Sequence, residues 1–217
     1  AMGVITLTKE DYEADDILAT LAHRGSEGGF SVLVVSGDRD TFQLINDNVT
    51  VLYPSARGVA ELKRYTPDAV EERYGVRPER YPDVAALVGE TSDNLIGVDK
   101  VGEKTAVKWI TQYGSLDALL AAAEEIPGVV GHNLREQKDR VIRNRELNHL
   151  LTDIDVGVSL EALERGPIDV DAVTKVFGEL AFKTLTNRVL ALGGTTSIAS
   201  ESVVAPEAVA LPQQRSL

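Results

Sequence analysis

The chain has 217 residues, of which 43% are hydrophobic and 26% are charged, and its formal net charge is −12. This composition is typical of a globular protein with one core, or one core and a small additional module, and the sequence has no apolar run long enough to span a membrane. The absence of cysteine excludes a disulfide framework and a thiolate zinc site, and it fits a cytoplasmic location.

The negative charge is distributed unevenly along the chain. Residues 1–99 carry nine basic and eighteen acidic side chains, whereas residues 100–149 carry eight basic and seven acidic ones. The overall charge argues against a nucleic-acid partner, but the middle of the chain is not acidic. A nucleic acid therefore remains a possible partner for that middle segment.

The first 66 residues alternate between helical and strand patterns. The stretch "EADDILATLAHRG" predicts a helix ending near Gly25, and "FSVLVV" predicts a buried parallel strand. A short helix in "DTFQLI", a strand in "VTVLY" and an edge strand or hairpin arm in "GVAELKRYT" follow. This alternation is typical of a doubly wound α/β sheet.

From Pro67 onward the pattern is helical, with Gly75, Gly89 and Gly114 at helix ends. Two short helices are predicted before Gly194, and the remaining residues lack periodicity. We therefore predict an α/β core in residues 1–88, a helical region in residues 89–193 and a linker or tail in residues 194–217.

Acidic residues cluster where predicted elements begin or end: Glu13, Asp15 and Asp16; Asp38 and Asp40; Glu90 and Asp93. The first group could simply favour the macrodipole of its helix, and the second could form an Asx turn with a helix N-cap at Asp40. If the three groups converge, their mutual repulsion needs a cation, and an all-oxygen ligand set favours Mg²⁺ or Mn²⁺. Two such ions are the arrangement used in phosphodiester cleavage.

A glycine-flanked turn follows the last acidic group, in "LIGVDKVGEKTAVKWI". Its spacing predicts a helix-hairpin-helix, in which backbone amides approach phosphate oxygens without reading bases. The alternative is an αα-hairpin with glycine caps and solvated lysines. We predict DNA contacts by Gly97, Val98, Val101, Gly102, Lys104, Thr105 and Lys108. The basic run from Arg135 to Arg145 is interpreted as an ion-paired helix surface, and Trp109 as a core residue.

The segments "YEADDILATLA", "VLVVSGDRDTFQLI", "ALVGETSDNLIGVDKVGEKTAVKWI" and "YGSLDALL" closely resemble, in that order, the 5′→3′ exonuclease domains of bacterial DNA polymerases I, which belong to the flap endonuclease family. The resemblance covers about residues 4–193. It implies a Rossmann-like (PIN-like) parallel-sheet nuclease core followed by a helical helix-hairpin-helix region.

The resemblance also implies an activity, namely cleavage of 5′ flaps, nicked DNA and RNA primers by a monomer that uses two divalent ions. It implies catalytic roles for Asp16, Asp38 and Asp93. A potassium ion at the hairpin is implied as well. The ions would be held, directly or through water, by Glu13, Asp15, Asp16, Asp38, Asp40, Glu90 and Asp93.

The sequence departs from the family pattern in three places. Glu90 stands where the family motif has Asp, and Leu95-Ile96-Gly97 stands where Leu-Pro-Gly is usual. The strands and helical arch that precede the Glu-Ala-Asp-Asp motif in the family are not present in the sequence. We therefore expect an incomplete nuclease core with weak activity.

Two other functions are compatible with the residues. The first is a non-catalytic module that binds duplex DNA through the hairpin. The second is an enzyme with an acidic cluster that acts on phosphate compounds unrelated to DNA, and the "GVDKVGEKTA" hairpin argues against it. Metal-dependent cleavage of flap DNA distinguishes the nuclease from the binding module.

Overall fold

The computed structural model describes residues 1–55 and 58–193. The described residues divide into two compact units, one of Thr6–Leu163 and one that joins Ala1–Ile5 to residues 164–193. The predicted tail in residues 194–217 lies outside the described residues, and the division into segments at residue 88 stays a prediction. Within the described ranges, no helix is both long enough and apolar enough to cross a membrane.

The amino-terminal half of the larger unit alternates helices and strands as predicted. In chain order its elements are α1 (Ala14–Glu27), β1 (Val32–Val35), a 3₁₀ helix (Arg39–Leu44), β2 (Val49–Ser55), β3 (Gly58–Tyr65) and α2 (Pro67–Tyr74).

These three strands form one mixed sheet in the order β1-β2-β3. Strands β1 and β2 are parallel, with Val34 opposite Val51, and β3 pairs antiparallel with β2 as the predicted hairpin arm. The prediction that β1 is buried was only partly right. Its Leu33 and Val35 are each 55% exposed, whereas Val34 between them is buried, so only one face of this strand faces the core.

The helix ends show why this sequence folds locally as it does. Helix α2 begins with Pro67 after the Thr66 hydroxyl, which accepts a hydrogen bond from the Ala69 N–H at 3.4 Å. The prediction that α1 ends at Gly25 was wrong, because the helix continues to Glu27. Gly25 is buried inside it, and a Cβ there would lie 2.8 Å from Val32 Cγ2, so this glycine serves close packing of the helix on β1.

The second half of the larger unit is helical, as predicted. Its elements are a 3₁₀ helix (Pro78–Arg80), α3 (Tyr81–Val88), the two-residue strands β4 (Gly89–Glu90) and β5 (Leu95–Ile96), α4 (Glu103–Tyr113), α5 (Leu116–Ala121), a 3₁₀ helix (Ala123–Glu125), α6 (Gly128–Glu136), α7 (Lys138–Leu147) and a 3₁₀ helix (Glu161–Leu163). The basic stretch after residue 132 forms two helices, which separate at Gln137.

Two apolar clusters fill the larger unit. One surrounds Phe42, whose ring lies 4.6–5.7 Å from the rings of four tyrosines: Tyr53, Tyr65, Tyr74 and Tyr81. The other contains Leu87, Leu119, Leu134 and Trp109, which is 6% exposed, and so confirms the tryptophan as a core residue.

A buried carboxylate joins three helices next to the second cluster. Asp83 of α3 has a side chain that is 6% exposed, and it pairs with Arg145 of α7, whose Nε donates to Oδ1 at 2.9 Å. Its other oxygen accepts the backbone N–H of Leu116, the first residue of α5, at 3.2 Å. Arg135 and Arg140 also form ion pairs, with Glu124 and Asp99, so the ion-paired interpretation of the basic run is confirmed for these two residues and Arg145.

The smaller unit contains α8 (Val170–Glu179) and α9 (Lys183–Gly193), the two short helices predicted near the carboxyl end. The first residues of the chain pair with the segment before α8. Gly3 O accepts the Gly166 N–H at 2.9 Å, and Ala1 O accepts the Asp169 N–H at 2.9 Å.

Candidate nuclease site and DNA-binding hairpin

Three elements of the larger unit carry the predicted acidic residues. Asp15 and Asp16 lie in the first turn of α1, and Asp38 and Asp40 lie directly after β1. Glu90 ends β4, and Asp93 lies in the turn between β4 and β5. The carboxyl end of a strand in a parallel pair is where ligands bind in open α/β sheets.

The loop after β1 is held by its own side chains. Asp38 Oδ1 accepts the Asp40 N–H at 2.8 Å, and Ser36 Oγ accepts the Asp38 N–H at 3.0 Å. The Asx turn that we considered for this stretch is therefore present. Its N-cap is Asp38 and not Asp40. Because this cap uses one oxygen of Asp38, the loop fixes the direction of the Asp38 carboxylate.

The acidic side chains from these elements act on one another electrostatically. The pKa of Asp40 is raised to about 7, first by burial and then by the charges of Glu90, Asp38, Asp93 and Asp15. Burial and the neighbouring Asp38, Glu13 and Asp16 raise the pKa of Asp15. The three elements thus converge enough for their charges to repel.

Glu90 belongs to the same cluster although the family pattern has Asp at this position. Its pKa is raised by burial and by the charges of Asp93 and Asp38, and the cationic Arg39 partly offsets this increase. The longer side chain therefore still reaches the electrostatic field of the other carboxylates.

The donor set fits a hard divalent cation, although the carboxylates are not arranged as a coordination shell. Asp40 Oδ1 is buried and has no hydrogen-bond partner, which leaves an anionic oxygen uncompensated. Carboxylate oxygens are the ligands that Mg²⁺ and Mn²⁺ prefer. Within residues 1–55 and 58–193, no three of these side chains are close enough together to hold an ion as they stand.

A cavity opens beside the acidic cluster. Its volume is about 400 Å³, and it is lined by Gly37, Asp38, Arg39, Tyr53, Glu90, Ser92 and Asp93. A neighbouring cavity of about 310 Å³ shares Arg39 and Glu90 and adds Tyr74 and Tyr81 to its walls. The cavities therefore combine carboxylates with one guanidinium group and phenol rings, so a phosphate group there would need a cation between it and the carboxylates.

Asp16 and Glu13 have a different environment from the other acids. Both oxygens of Asp16 accept backbone N–H groups, Oδ2 from Glu13 at 3.3 Å and Oδ1 from Leu151 at 3.0 Å. Glu13 is the exposed N-cap residue of α1. Asp16 therefore holds the segment at Leu151 against α1, a structural task that the sequence did not reveal.

Sequence reasoning also missed Gln43, which makes the corresponding contacts from the loop after β1. Its Nε2 donates to the backbone oxygens of Asp40 and Asn148 at 2.8 Å each, and its Oε1 accepts the Leu150 N–H at 3.2 Å. With Asp16 it fastens residues 148–151, which we name the strap, to the elements that carry the acids. Asn148 and Leu150 lie more than 100 residues from Gln43, so no local pattern could have indicated these contacts.

The predicted hairpin residues lie in the loop between β5 and α4 and on α4 itself. Val98 and Val101 are buried in the second apolar cluster, while Lys104 and Lys108 are exposed on α4. Thr105 is half-buried, one position after Lys104. The sequence therefore places two cations on the solvent side of a helix whose other side is anchored in the core.

The two glycines of the hairpin have different reasons to be glycine. Gly97 is buried, and a Cβ there would lie 2.1 Å from Val88 O at the end of α3. A Cβ on Gly102 would meet nothing within 4 Å. Packing inside the protein explains why residue 97 is glycine. It does not explain Gly102, where a glycine instead leaves room for close approach of another molecule.

Comparison with known protein families agrees with this arrangement. The model of the 5'-3' exonuclease N-terminal resolvase-like domain matches residues 1–75, and that of the 5'-3' exonuclease C-terminal SAM fold matches residues 76–171. The chain belongs to the 5'-3' exonuclease family. The α/β core and helical region expected from the sequence thus correspond to the two parts of this family.

Curated relatives of the family are bacterial DNA polymerases I. The chain is 48% identical over 188 residues to DNA polymerase I of Mycobacterium tuberculosis, covering 87% of this chain and 21% of the relative. It is 41% identical over 180 residues to DNA polymerase I of Bacillus subtilis, covering 82% of this chain and 20% of the relative. The chain spans about a fifth of the length of the curated relatives that it matches.

Solved structures of a bacteriophage T5 enzyme share the fold. The T5 5'-exonuclease with bound zinc has a TM-score of 0.59 and 24% identity, covering 66% of this chain and 52% of that one. The T5 D15 flap endonuclease in a pseudo-enzyme-product complex with DNA and metal ions has a TM-score of 0.58 and 22% identity, covering 88% of this chain and 63% of that one.

Proposed function

We propose that this chain is a divalent-metal-dependent 5′→3′ exonuclease and 5′ flap endonuclease that acts on DNA, as part of a DNA polymerase I. The observation that carries the proposal is the electrostatic convergence on half-buried Asp40 of Asp15, Asp38, Glu90 and Asp93, which come from three elements. Membership of the 5'-3' exonuclease family supports the same activity.

The metal-binding residues in this proposal are Glu13, Asp15, Asp16, Asp38, Asp40, Glu90 and Asp93, with Mg²⁺ or Mn²⁺ as two bound ions. Such ions supply activation of water and stabilisation of the negative charge on the leaving oxygen. Asp38 and Asp93, which line the larger cavity, are the direct catalytic candidates. Asp16 contributes by holding α1 in place, since both its oxygens accept backbone N–H groups.

The substrate in this proposal is DNA with a 5′ flap or a nick, or an RNA primer paired to DNA. The exposed Lys104 and Lys108 would neutralise duplex phosphates, and the open backbone at Gly102 allows close approach. A potassium ion at the hairpin, a monomeric state and a cytoplasmic location belong to the same proposal.

Cleavage of a 5′-labelled flap duplex tests the proposal directly. We expect cleavage with Mg²⁺ or Mn²⁺, no cleavage with EDTA, and a loss of about 100-fold or more in Asp38→Ala and Asp93→Ala, because each substitution removes an anchor for transition-state charge. The matched control is Glu72→Ala, which removes an exposed carboxylate on α2 and leaves cleavage unchanged.

A second candidate function is a non-catalytic module that binds duplex DNA. It is favoured by the finding that no three of the described carboxylates lie close enough to hold an ion. If the chain binds flap DNA but does not cut it with Mg²⁺ or Mn²⁺, that result establishes the second function and contradicts the first.

A further inference from the structure

The hairpin loop, defined here as residues 97–102, contains an acidic residue where DNA is expected to bind. Asp99 is exposed, with 62% of its side chain accessible to solvent, and it stands beside the exposed Lys100. A carboxylate at a phosphate-binding surface repels the ligand. Its presence therefore requires an explanation.

Asp99 is held by three residues from the region where α6 meets α7. The amide of Gln137 pairs with it twice: Nε2 donates to Asp99 Oδ2 at 2.8 Å, and Oε1 accepts the Asp99 N–H at 2.9 Å. Asn133 Nδ2 donates to the Asp99 backbone oxygen at 2.7 Å, and the Arg140 guanidinium lies 3.8 Å from Oδ1. We name this set of contacts the Asp99 clamp.

The residue that follows the clamp has an unfavourable backbone conformation. Lys100 has a φ of 66°, a left-handed value that costs a residue with a Cβ about 1 kcal/mol or more. On the other side of Lys100, the Val101 N–H donates to Val98 O at 3.0 Å, and both valines are buried. The loop is therefore fixed on both sides of an exposed lysine.

We propose that Asp99 is a positioning residue for DNA binding, an acid whose net effect is to raise affinity for the DNA backbone. It does so by fixing the hairpin loop on the α6–α7 junction, so that the backbone that carries Lys100 need not be ordered when the phosphate arrives. Lys100 is then a further phosphate contact beside Lys104 and Lys108. This inference rests on the proposed DNA-binding function.

The direction in which one substitution changes DNA affinity distinguishes the effect of the clamp from simple electrostatics. Asp99→Ala removes a negative charge, so electrostatics alone predicts tighter DNA binding, whereas loss of the clamp predicts binding weakened by about 3- to 10-fold. Asp99→Asn removes the same charge but keeps an oxygen that can accept from Gln137 Nε2, so we expect affinity equal to or above that of the unsubstituted chain.

The measurement is fluorescence anisotropy with a labelled 20-base-pair duplex bearing a 5′ flap, in EDTA to prevent cleavage. Gln137→Ala breaks the paired contacts without changing charge, and we expect it to weaken binding as much as Asp99→Ala does. The double substitution should cost less than the sum of the two single losses, because both single substitutions remove the hydrogen bond from Gln137 Nε2 to Asp99 Oδ2. Glu136→Ala, an exposed neighbour on α6, is the control, and melting temperatures show that each variant is folded.

The possible outcomes separate this inference from the proposed function. If Asp99→Ala binds as tightly as the unsubstituted chain or more tightly, or if Gln137→Ala leaves affinity unchanged, the inference is wrong and the proposed function stands. If the unsubstituted chain does not bind the flap duplex, both are wrong.

Discussion

At the scale of one residue, Asp40 shows how the acidic cluster lowers the stability of the folded protein. Its Oδ1 is buried and without a hydrogen-bond partner, and four other carboxylates act on it. The unfolded chain titrates this group near its ordinary pKa of 3.8, but the folded chain does so at about 7. Between these values the folded protein binds more protons, so rising pH favours the unfolded state.

We therefore predict that the metal-free protein loses stability as pH rises from about 4 to about 7, and that Asp40→Asn removes much of this loss. The expected difference between the two proteins at pH 8 is on the order of 2 kcal/mol, after allowance for partial solvent exposure of the group. Urea unfolding in EDTA at pH 5 and pH 8 measures it. The exposed Asp117→Asn is the control, and identical pH profiles for Asp40→Asn and the unsubstituted chain would contradict the prediction.

At the scale of elements, two glycines allow the hairpin loop to pack closely against the end of α3. Gly89 ends α3 with a φ of 81°, and a Cβ on it would lie 2.3 Å from the Gly97 nitrogen. Asn144 of α7 adds a polar contact at the same place, because its buried Nδ2 donates to Ala86 O and Ile96 O. The loop, α3 and α7 are thus joined where the predicted DNA-binding segment begins.

Substitution of the two hairpin glycines should separate stability from binding. We expect Gly97→Ala to lower the free energy of unfolding by about 1–3 kcal/mol, because its Cβ overlaps the backbone of Val88. Gly102→Ala should change the free energy of unfolding by less than about 1 kcal/mol, since its Cβ points into open space. It should weaken binding to duplex DNA, because the added Cβ occupies the space through which the DNA backbone would approach. Denaturant unfolding and anisotropy on both variants provide the measurements. Equal effects on stability would show that this distinction is wrong.

Local sequence signals were sufficient for most of these elements. Pro67, Gly75 and Gly114 lie at the helix boundaries where the sequence indicated them, because capping acts within a few residues. Gly25 misled the prediction, since a glycine that allows close packing looks the same in sequence as one that ends a helix. The Asp99 clamp was not predictable either, because Gln137 lies 38 residues away and binds through tertiary structure.

For the whole molecule, the net charge of −12 suggested a protein unsuited to DNA, yet part of that charge belongs to one cluster formed by Asp15, Asp38, Asp40, Glu90 and Asp93. Sequence order did indicate the acidic motifs and the hairpin, since each is a short local pattern. It could not indicate the strap, because Gln43 and Asp16 reach partners more than 100 residues away. The sequence likewise did not show that Thr6–Leu163 forms one compact unit.

A divalent cation should therefore stabilise the whole chain. We expect Mg²⁺ or Mn²⁺ at about 100 times its dissociation constant to raise the free energy of unfolding by about 2.7 kcal/mol, because it binds only the folded acidic cluster. Thermal melting with the metal, with EDTA and with sodium at equal ionic strength measures this effect. In the Asp38→Ala/Asp93→Ala double variant the metal should have little effect. An equal rise in that variant, or none in the unsubstituted chain, would show that the cluster does not hold the ion.

The strap sets a practical limit on trimming this protein. A version cut after Leu147 would keep every acidic side chain of the cluster and the whole hairpin loop, and would look adequate as a minimal version of the site. It would nevertheless lose the backbone groups of residues 148–151 to which Gln43, Thr20 and Asp16 are bonded. Arg24 would also lose its contacts at Ile154 and Val158. Any shortened version should therefore extend at least through residue 158 if α1 and the segment after β1 are both to keep these contacts.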